Sequence, residues 1–242
     1  MPDEAQLPLP PTTMERVKAH PQKDVHHLRI RQQLIDSAED RLDTVVDEFA
    51  EVFALLKTYE KTVTIFGSAR STMDPWAYDI AYKVSARLAE EGYAVITGGG
   101  FGVMESANKG AYEAGGDSIG LNILLPKEQA LNPYTTANFQ FTHFFSRKVS
   151  MTLYDSAYIY FPGGFGTLDE LMEIIVLVQT GKVPRVPIIL VGELFWRSLD
   201  EFFKNVLLAN RVIEENDTKI YTIVNEVEEV IDIVKGYAQP TE

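Results

Sequence analysis

The sequence predicts a doubly wound α/β fold: a mainly parallel sheet of about seven strands, helices on both faces, and a long helix ahead of it. Three observations carry this expectation. Short runs rich in Val, Ile and Tyr alternate with helical spans along most of the chain, as strands buried on both faces of a parallel sheet require. Gly-rich turns close three of those runs, where open α/β sheets bind their ligands. An apolar stripe at helical spacing precedes the first run. The fold class is Rossmann-like.

The elements follow in order. Residues 1–25 are polar and Pro-rich and read as a flexible arm. Over 26–59, Leu28, Ile35, Leu42, Phe49 and Leu56 fall seven apart, with Ala38, Val45 and Val52 between them. Val46 and Phe53 widen the stripe into one long amphipathic helix. Such a helix packs on its own domain or, being long, meets another subunit. Residues 60–242 form the Rossmann-like domain. Its strands are expected at 62–69, 93–100, 117–125, 138–145, 156–164, 186–192 and 220–225. Helices are expected near 75–90 and over "VMESANKGAYEAG", then at 146–154, 167–180, 194–208 and 225–236.

Composition removes several function classes. The chain has 242 residues, enough for one large domain or two small ones, and 45% hydrophobic with 24% charged residues is ordinary globular composition. It has no Cys, so disulfides, thiolate metal sites and Cys nucleophiles are excluded together. No long apolar run or signal-peptide core occurs, so a cytoplasmic protein with no membrane partner is expected. A net charge of −13 without a basic stripe argues against nucleic acid. A small phosphorylated ligand stays admissible, because a nest of backbone amides outweighs the global field locally.

The Gly-rich turns "GSAR", "TGGGFGVME" and "PGGFGT" fit neither the dinucleotide fingerprint nor a P-loop. Four scattered His give little support for a metal. Two of the turns open helices, whose free amides and positive dipole end suit a compact anion. Tight turns alone would also use glycine. Thr167 and Glu170 have the spacing of a capping box, in which Glu merely caps a helix. Asp169, Glu170 and Glu173 are more carboxylates than a cap needs. One turn from a phosphate, a carboxylate reaches the attached sugar, where it stabilises an oxocarbenium-like transition state or activates water. Arg147 and Lys148 are expected at a helix N-terminus, an unfavourable place for cations unless an anion lies nearby.

With these residues in view, the chain resembles the LOG (Lonely guy) family, often labelled lysine decarboxylase. "PGGFGTLDE" fits its PGGxGTxxE signature and "RKVSM" its Arg-Lys…Met segment. "GSAR", "TGGGFGVMESANKGA" and "LNILLPKEQALNPY" follow the same pattern, and the likeness runs over residues 60–236. The resemblance implies a phosphoribohydrolase that cleaves the N-glycosidic bond of AMP or cytokinin riboside 5′-monophosphates, releasing free base and ribose 5-phosphate. It makes Glu170 the catalytic carboxylate and Arg147 its partner. It places the 5′-phosphate on Gly163, Gly164, Gly166 and Thr167. Gly67, Ser68, Gly99, Gly100, Gly102, Met104 and Lys148 complete the expected substrate site. Neither cofactor nor metal is expected. The longer bacterial type is the nearer match, and a dimer or hexamer is the expected assembly. Phe144 stands where short members carry Met, and residues 1–60 have no counterpart in them. The competing readings are a pyridoxal-dependent decarboxylase using Lys148, a non-catalytic nucleotide binder, and a pyrimidine nucleotide hydrolase.

Overall fold

In a computed structural model of the chain, residues 29, 32, 42–70, 75–124, 131–152 and 155–237 are described. The expected arm over 1–25, and Leu28, Ile35 and Ala38 of the expected helix, lie outside them. The chain divides into two compact units, Met1–Asp47 and Glu48–Glu242. In the first, residues 42–47 are helical, with Leu42 and Val46 exposed.

In the second unit, helix α1 covers 48–56 and buries Val52 and Leu56. Seven strands follow: β1 Thr62–Phe66, β2 Ala94–Thr97, β3 Ser118–Ile123, β4 Ala137–Phe141, β5 Ala157–Tyr160, β6 Ile188–Val191 and β7 Thr222–Val224. All pair parallel, in the order β4-β3-β2-β1-β5-β6-β7. The helices are α2 Pro75–Glu90, α3 Val103–Glu113, α4 Phe144–Ser150, α5 Phe165–Gln179, α6 Glu193–Phe202 and α7 Val227–Gly236. A π-helical turn, Phe203–Leu208, extends α6.

Successive strand side chains feed two separate cores, which is why the strands are apolar without alternation. Val63, Ile65, Val95, Ile159 and Ile189 pack with α2, α3 and α7. Phe66, Ile96, Leu121, Tyr160 and Leu190 pack with Val52 and Leu56 of α1, Leu171 and Ile174 of α5, and Trp196 of α6. The chain builds outward from β1 through β2 and β3 to β4, then returns to place β5 on β1's other side. The strand order therefore reverses between β1 and β5. In open sheets that reversal leaves a crevice at the strands' carboxyl ends.

Two expected boundaries shift. The fourth strand ends at Phe141, not residue 145, and the next helix begins at Phe144, not residue 146. Arg147 and Lys148 therefore occupy the last turn of α4, where the helix dipole favours cations. The early start has a cause outside the local sequence: the Thr142 amide donates to the Glu48 carboxylate, from α1, at 2.6 Å.

Gly110 shows how tightly one face is packed, since a Cβ there would overlap the Tyr82 carbonyl oxygen of α2. Gly110→Ala should gain up to about 1 kcal/mol of helix propensity. It should lose about 1–3 kcal/mol to overpacking against a rigid backbone. The expected net result is a lower urea midpoint, readable by circular dichroism; a raised midpoint would mean that α2 and α3 separate freely.

Candidate active site

A cleft of about 860 Å³ opens at the β1/β5 reversal. Its floor is the turn after β1, from Phe66 to Arg70, and one wall is Pro162–Glu170. Gly98, Met104, Phe144, Arg147 and Phe195 close the other sides. Backbone bonds fix the floor: Ser68 N–H donates to Pro162 O at 3.1 Å, and Val103 N–H to Ser68 O at 3.0 Å. Gly67 is required here, because a Cβ would strike Val103 at 2.6 Å.

The wall turns into α5 at Gly164, and no side chain caps this helix. Its first turn also carries no acidic residue, so its positive end is uncompensated. A Cβ on Gly164 or Gly166 would meet no described atom within 4 Å, and neither backbone is left-handed. Packing within the described chain thus gives no reason for glycine at these two positions. Close approach of a ligand to their amides does.

Thr167 and Glu170 do not form a capping box. The helix starts two residues before Thr167, which leaves both side chains buried inside its early turns. Glu170 instead faces Arg147, with Oε1 and Nη1 3.8 Å apart, an ion pair too long for a hydrogen bond. Its Oε2 is buried and has no hydrogen-bond partner among the described residues. Burial pushes the Glu170 carboxyl up to about 7, against the opposing pull of Arg147 and Lys148. Burial lowers the Arg147 value too, and Glu170 resists that shift. Arg147 Nε donates to Leu121 O at 2.8 Å, which aims the guanidinium across the cleft. Gly98 gives it passage, because a Cβ there would lie 2.5 Å from Nη2.

Lys148 lies outside the cleft lining and bridges Asp169 at 2.9 Å and Glu173 at 2.8 Å. Both carboxylates raise its pKa against the lowering effect of burial, and so hold it protonated. The cleft brings together Gly67, Ser68, Met104, Arg147, Gly163, Gly164, Gly166, Thr167 and Glu170. Gly99, Gly100 and Gly102, expected on the facing side, are not in its lining. Gly99 and Gly102 are left-handed turn residues, at φ 69° and 66°. The carbonyls of Gly99 and Gly100 accept from the Asn132 amide and side chain. Gly98, Arg70, Phe144, Phe165 and Phe195 were not predicted for the site but line it. The triple glycine did signal a close approach at Gly98, without saying which of the three made it.

Two carboxyls, Glu170 and the buried Asp155 two residues before β5, sit near pH 7, both raised chiefly by burial. Unfolded, they titrate in the ordinary carboxylate range, so between that range and pH 7 the native chain holds more protons. Stability from these groups is complete below about pH 4 and is lost as pH rises through about 7, at about 1.4 kcal/mol per unit of displacement. Urea unfolding should therefore show stability declining from about pH 5 to pH 8. The double variant Glu170→Gln/Asp155→Asn should flatten that decline; stability rising over this range would contradict the assignment.

Known proteins resemble this chain in sequence and in fold. A family profile described as "Possible lysine decarboxylase" matches residues 104–234, which include all of α3 but its first residue, Arg147 and the whole Pro162–Glu170 wall. The cytokinin riboside 5′-monophosphate phosphoribohydrolase LOG of Oryza sativa is 32% identical over 106 residues, 43% of each chain. LOG5 of Arabidopsis thaliana, with the same described activity, is 29% identical over 130 residues, 52% of this chain and 57% of its own. The chain thus spans about half the length of these relatives. In fold it is similar to the molybdenum cofactor carrier protein of Chlamydomonas reinhardtii, at TM-score 0.56 and 22% identity over 73% of this chain and 97% of that one. The molybdenum cofactor binding protein of Rippkaea orientalis is similar at TM-score 0.52 and 24% identity, over 72% and 94%. With its profile match covering more than half its length, the chain belongs to the possible lysine decarboxylase family, the family of the LOG proteins.

Proposed function

We propose that the chain is a nucleoside 5′-monophosphate phosphoribohydrolase acting on AMP, cytokinin riboside 5′-monophosphates, or both. One observation carries the reading. A buried carboxylate with a free oxygen, Glu170 Oε2, stands one turn inside a helix whose uncapped N-terminus opens on the same cleft. A helix cap would not be buried there, and a site that only held phosphate would gain nothing from an anion beside it. The described activity of the rice and Arabidopsis relatives supports the same chemistry.

In this reading the 5′-phosphate rests on the amides of Gly164 to Thr167, and the ribose extends towards Glu170. The C1′–N bond breaks as a water oxygen bonds to C1′. Positive charge develops on the sugar, which the ionised Glu170 stabilises. A carboxyl near pH 7 is also matched to accept the water's proton while the leaving nitrogen takes one from solvent or a cleft group. Arg147 keeps part of the Glu170 population ionised despite burial and helps hold the anionic substrate. Phe144, Phe165 and Phe195 offer apolar surface to a base.

Decarboxylation through a pyridoxal Schiff base is disfavoured. The reaction needs a neutral lysine in the site, whereas Lys148 is clamped by two carboxylates and turned out of the cleft lining.

The test is chromatography of released base. AMP should be cleaved orders of magnitude faster than adenosine, because charge-assisted bonds to phosphate contribute about 1.5–3 kcal/mol each. Glu170→Gln should lower turnover about 10²–10⁴-fold while AMP binding, by calorimetry, survives. AMP bound by the unaltered protein without turnover would support a carrier instead. Since kcat/KM reports the free protein, it should rise with pH through about 7 as Glu170 ionises.

A further inference from the structure

The reaction does not use Glu48, yet Glu48 is among the most fully engaged carboxylates in the chain. It lies in α1, outside the matched family region, and is 6% exposed. Its Oε1 accepts from the Thr142 amide at 2.6 Å. Its Oε2 accepts a short bond from the Ser146 hydroxyl and stands 3.4 Å from His143 Nδ1. These three partners are the residue before the α4 N-cap, the N-cap itself, and the third residue inside.

His143 makes no side-chain capping bond to its own helix. Glu48 instead ties the residue before the N-cap to the Ser146 hydroxyl, reaching them from 94 and 98 residues away. Burial alone would push its carboxyl up, but the Ser146 and Thr142 bonds bring it below the usual value and keep it charged. A fixed negative charge at the start of α4 suits the helix dipole, as Arg147 and Lys148 suit its end. The neighbouring pair Phe49 and Phe145 meets edge-on at 6.0 Å and joins the same two helices.

Ser146 directly precedes Arg147. A shift of the α4 start is therefore passed to the guanidinium, whose one hydrogen bond among the described residues is Nε to Leu121 O. We propose that Glu48 is a positioning residue for Arg147: its buried carboxylate fixes the start of α4, and with it the guanidinium that faces Glu170. The helix ahead of the sheet thereby becomes part of the active-site framework. The catalytic consequence rests on the proposed hydrolase reading; the structural link does not.

The experiment uses the full chain carrying Glu48→Ala, Glu48→Gln, and each combined with Arg147→Ala. AMP turnover in Glu48→Ala should fall about 10–10²-fold, the usual effect of misplacing a site group by an ångström, with a smaller change in KM. The second readout needs no substrate: titration of the Glu170 carboxyl by carbon-13 NMR. Glu170 is faced by Arg147 and Lys148, which lower its midpoint, and by Glu173 and Asp169, which raise it. Withdrawal of Arg147 should move the midpoint up. Simple loss of a negative charge at residue 48 would move it down. In the Arg147→Ala background, Glu48→Ala should lower turnover no further and should no longer raise the midpoint.

An unchanged or lowered Glu170 midpoint in folded Glu48→Ala, or losses that multiply in the double variant, would overturn the proposal. If Glu48→Ala does not fold, Glu48→Gln gives the same two readouts at smaller amplitude, because the amide retains one acceptor. Should the unaltered protein not cleave AMP, the hydrolase reading fails, and the NMR comparison still decides the role of Glu48.

Discussion

The site depends on keeping a carboxylate and a guanidinium close, buried and not hydrogen-bonded to each other. Glu170 and Arg147 achieve this because they come from different helices, each anchored by other contacts. Tyr160 OH donates to the Glu170 carbonyl at 3.2 Å, and its ring stacks on Phe66 at 4.9 Å, so the base of α5 is tied to β1 and β5. Arg147 is held by Leu121 O on β3. Lys148 finishes the separation. By taking Asp169 and Glu173, it removes two competitors for Arg147 and leaves Glu170 as the guanidinium's one carboxylate partner among the described residues. A tighter Arg147–Glu170 pair would saturate both groups and leave nothing for a ligand.

Glycine serves two unlike purposes in one constellation. At Gly67, Gly98 and Gly163 a side chain would collide with Val103, Arg147 or Thr167, so these glycines make the walls close. At Gly164 and Gly166 nothing described would be hit, and the missing side chains leave amides bare instead. Only the second kind would bear directly on a ligand, in the proposed reading. Gly99 and Gly102 supply left-handed turns besides: Asn132, itself bonded to Asn108 at 2.9 Å, holds the Gly99 turn, and a side chain on Gly102 would also strike Ser68 O.

Much of the architecture was legible because it is written locally. Seven Val/Ile/Tyr runs mark seven strands, and Gly after such a run marks a strand end, so the Pro162–Thr167 turn could be placed at the site from sequence. The strand order could not, since β5 pairing on the far side of β1 leaves no trace in either segment. The start of α4 was misplaced for a related reason. "NFQFTHFF" alternates like a strand to residue 145, and the carboxylate that halts it at Phe141 comes from Glu48. Phe195 was missed because its helix reads as ordinary cover for the sheet; only the reversal of strand order brings it to the cleft. A cap at Glu170 and a buried carboxylate on the cleft were likewise indistinguishable from T-x-x-E spacing. The distinction turned on whether α5 begins at Thr167 or Phe165, a difference of two residues.

On the proposed function, a chain of net charge −13 would receive a phosphate dianion against its own field, and the arrangement of the site is compatible with that. Attraction at long range is weak, because exposed charges beyond a Debye length are screened. What decides binding is the few ångströms around the anion. There α5 presents an uncapped positive end with no acidic side chain in its first turn. Asp169, the nearest exposed carboxylate, is drawn onto Lys148. Glu170 is half neutral near pH 7 through burial, so it repels an arriving phosphate less than an exposed glutamate would. The same burial that eases entry makes the ionised form costly, and a cation forming at the sugar would relieve that cost. In that reading binding and chemistry would draw on opposite protonation states of one side chain, with Arg147 at 3.8 Å opposing the upward pull of burial on its pKa.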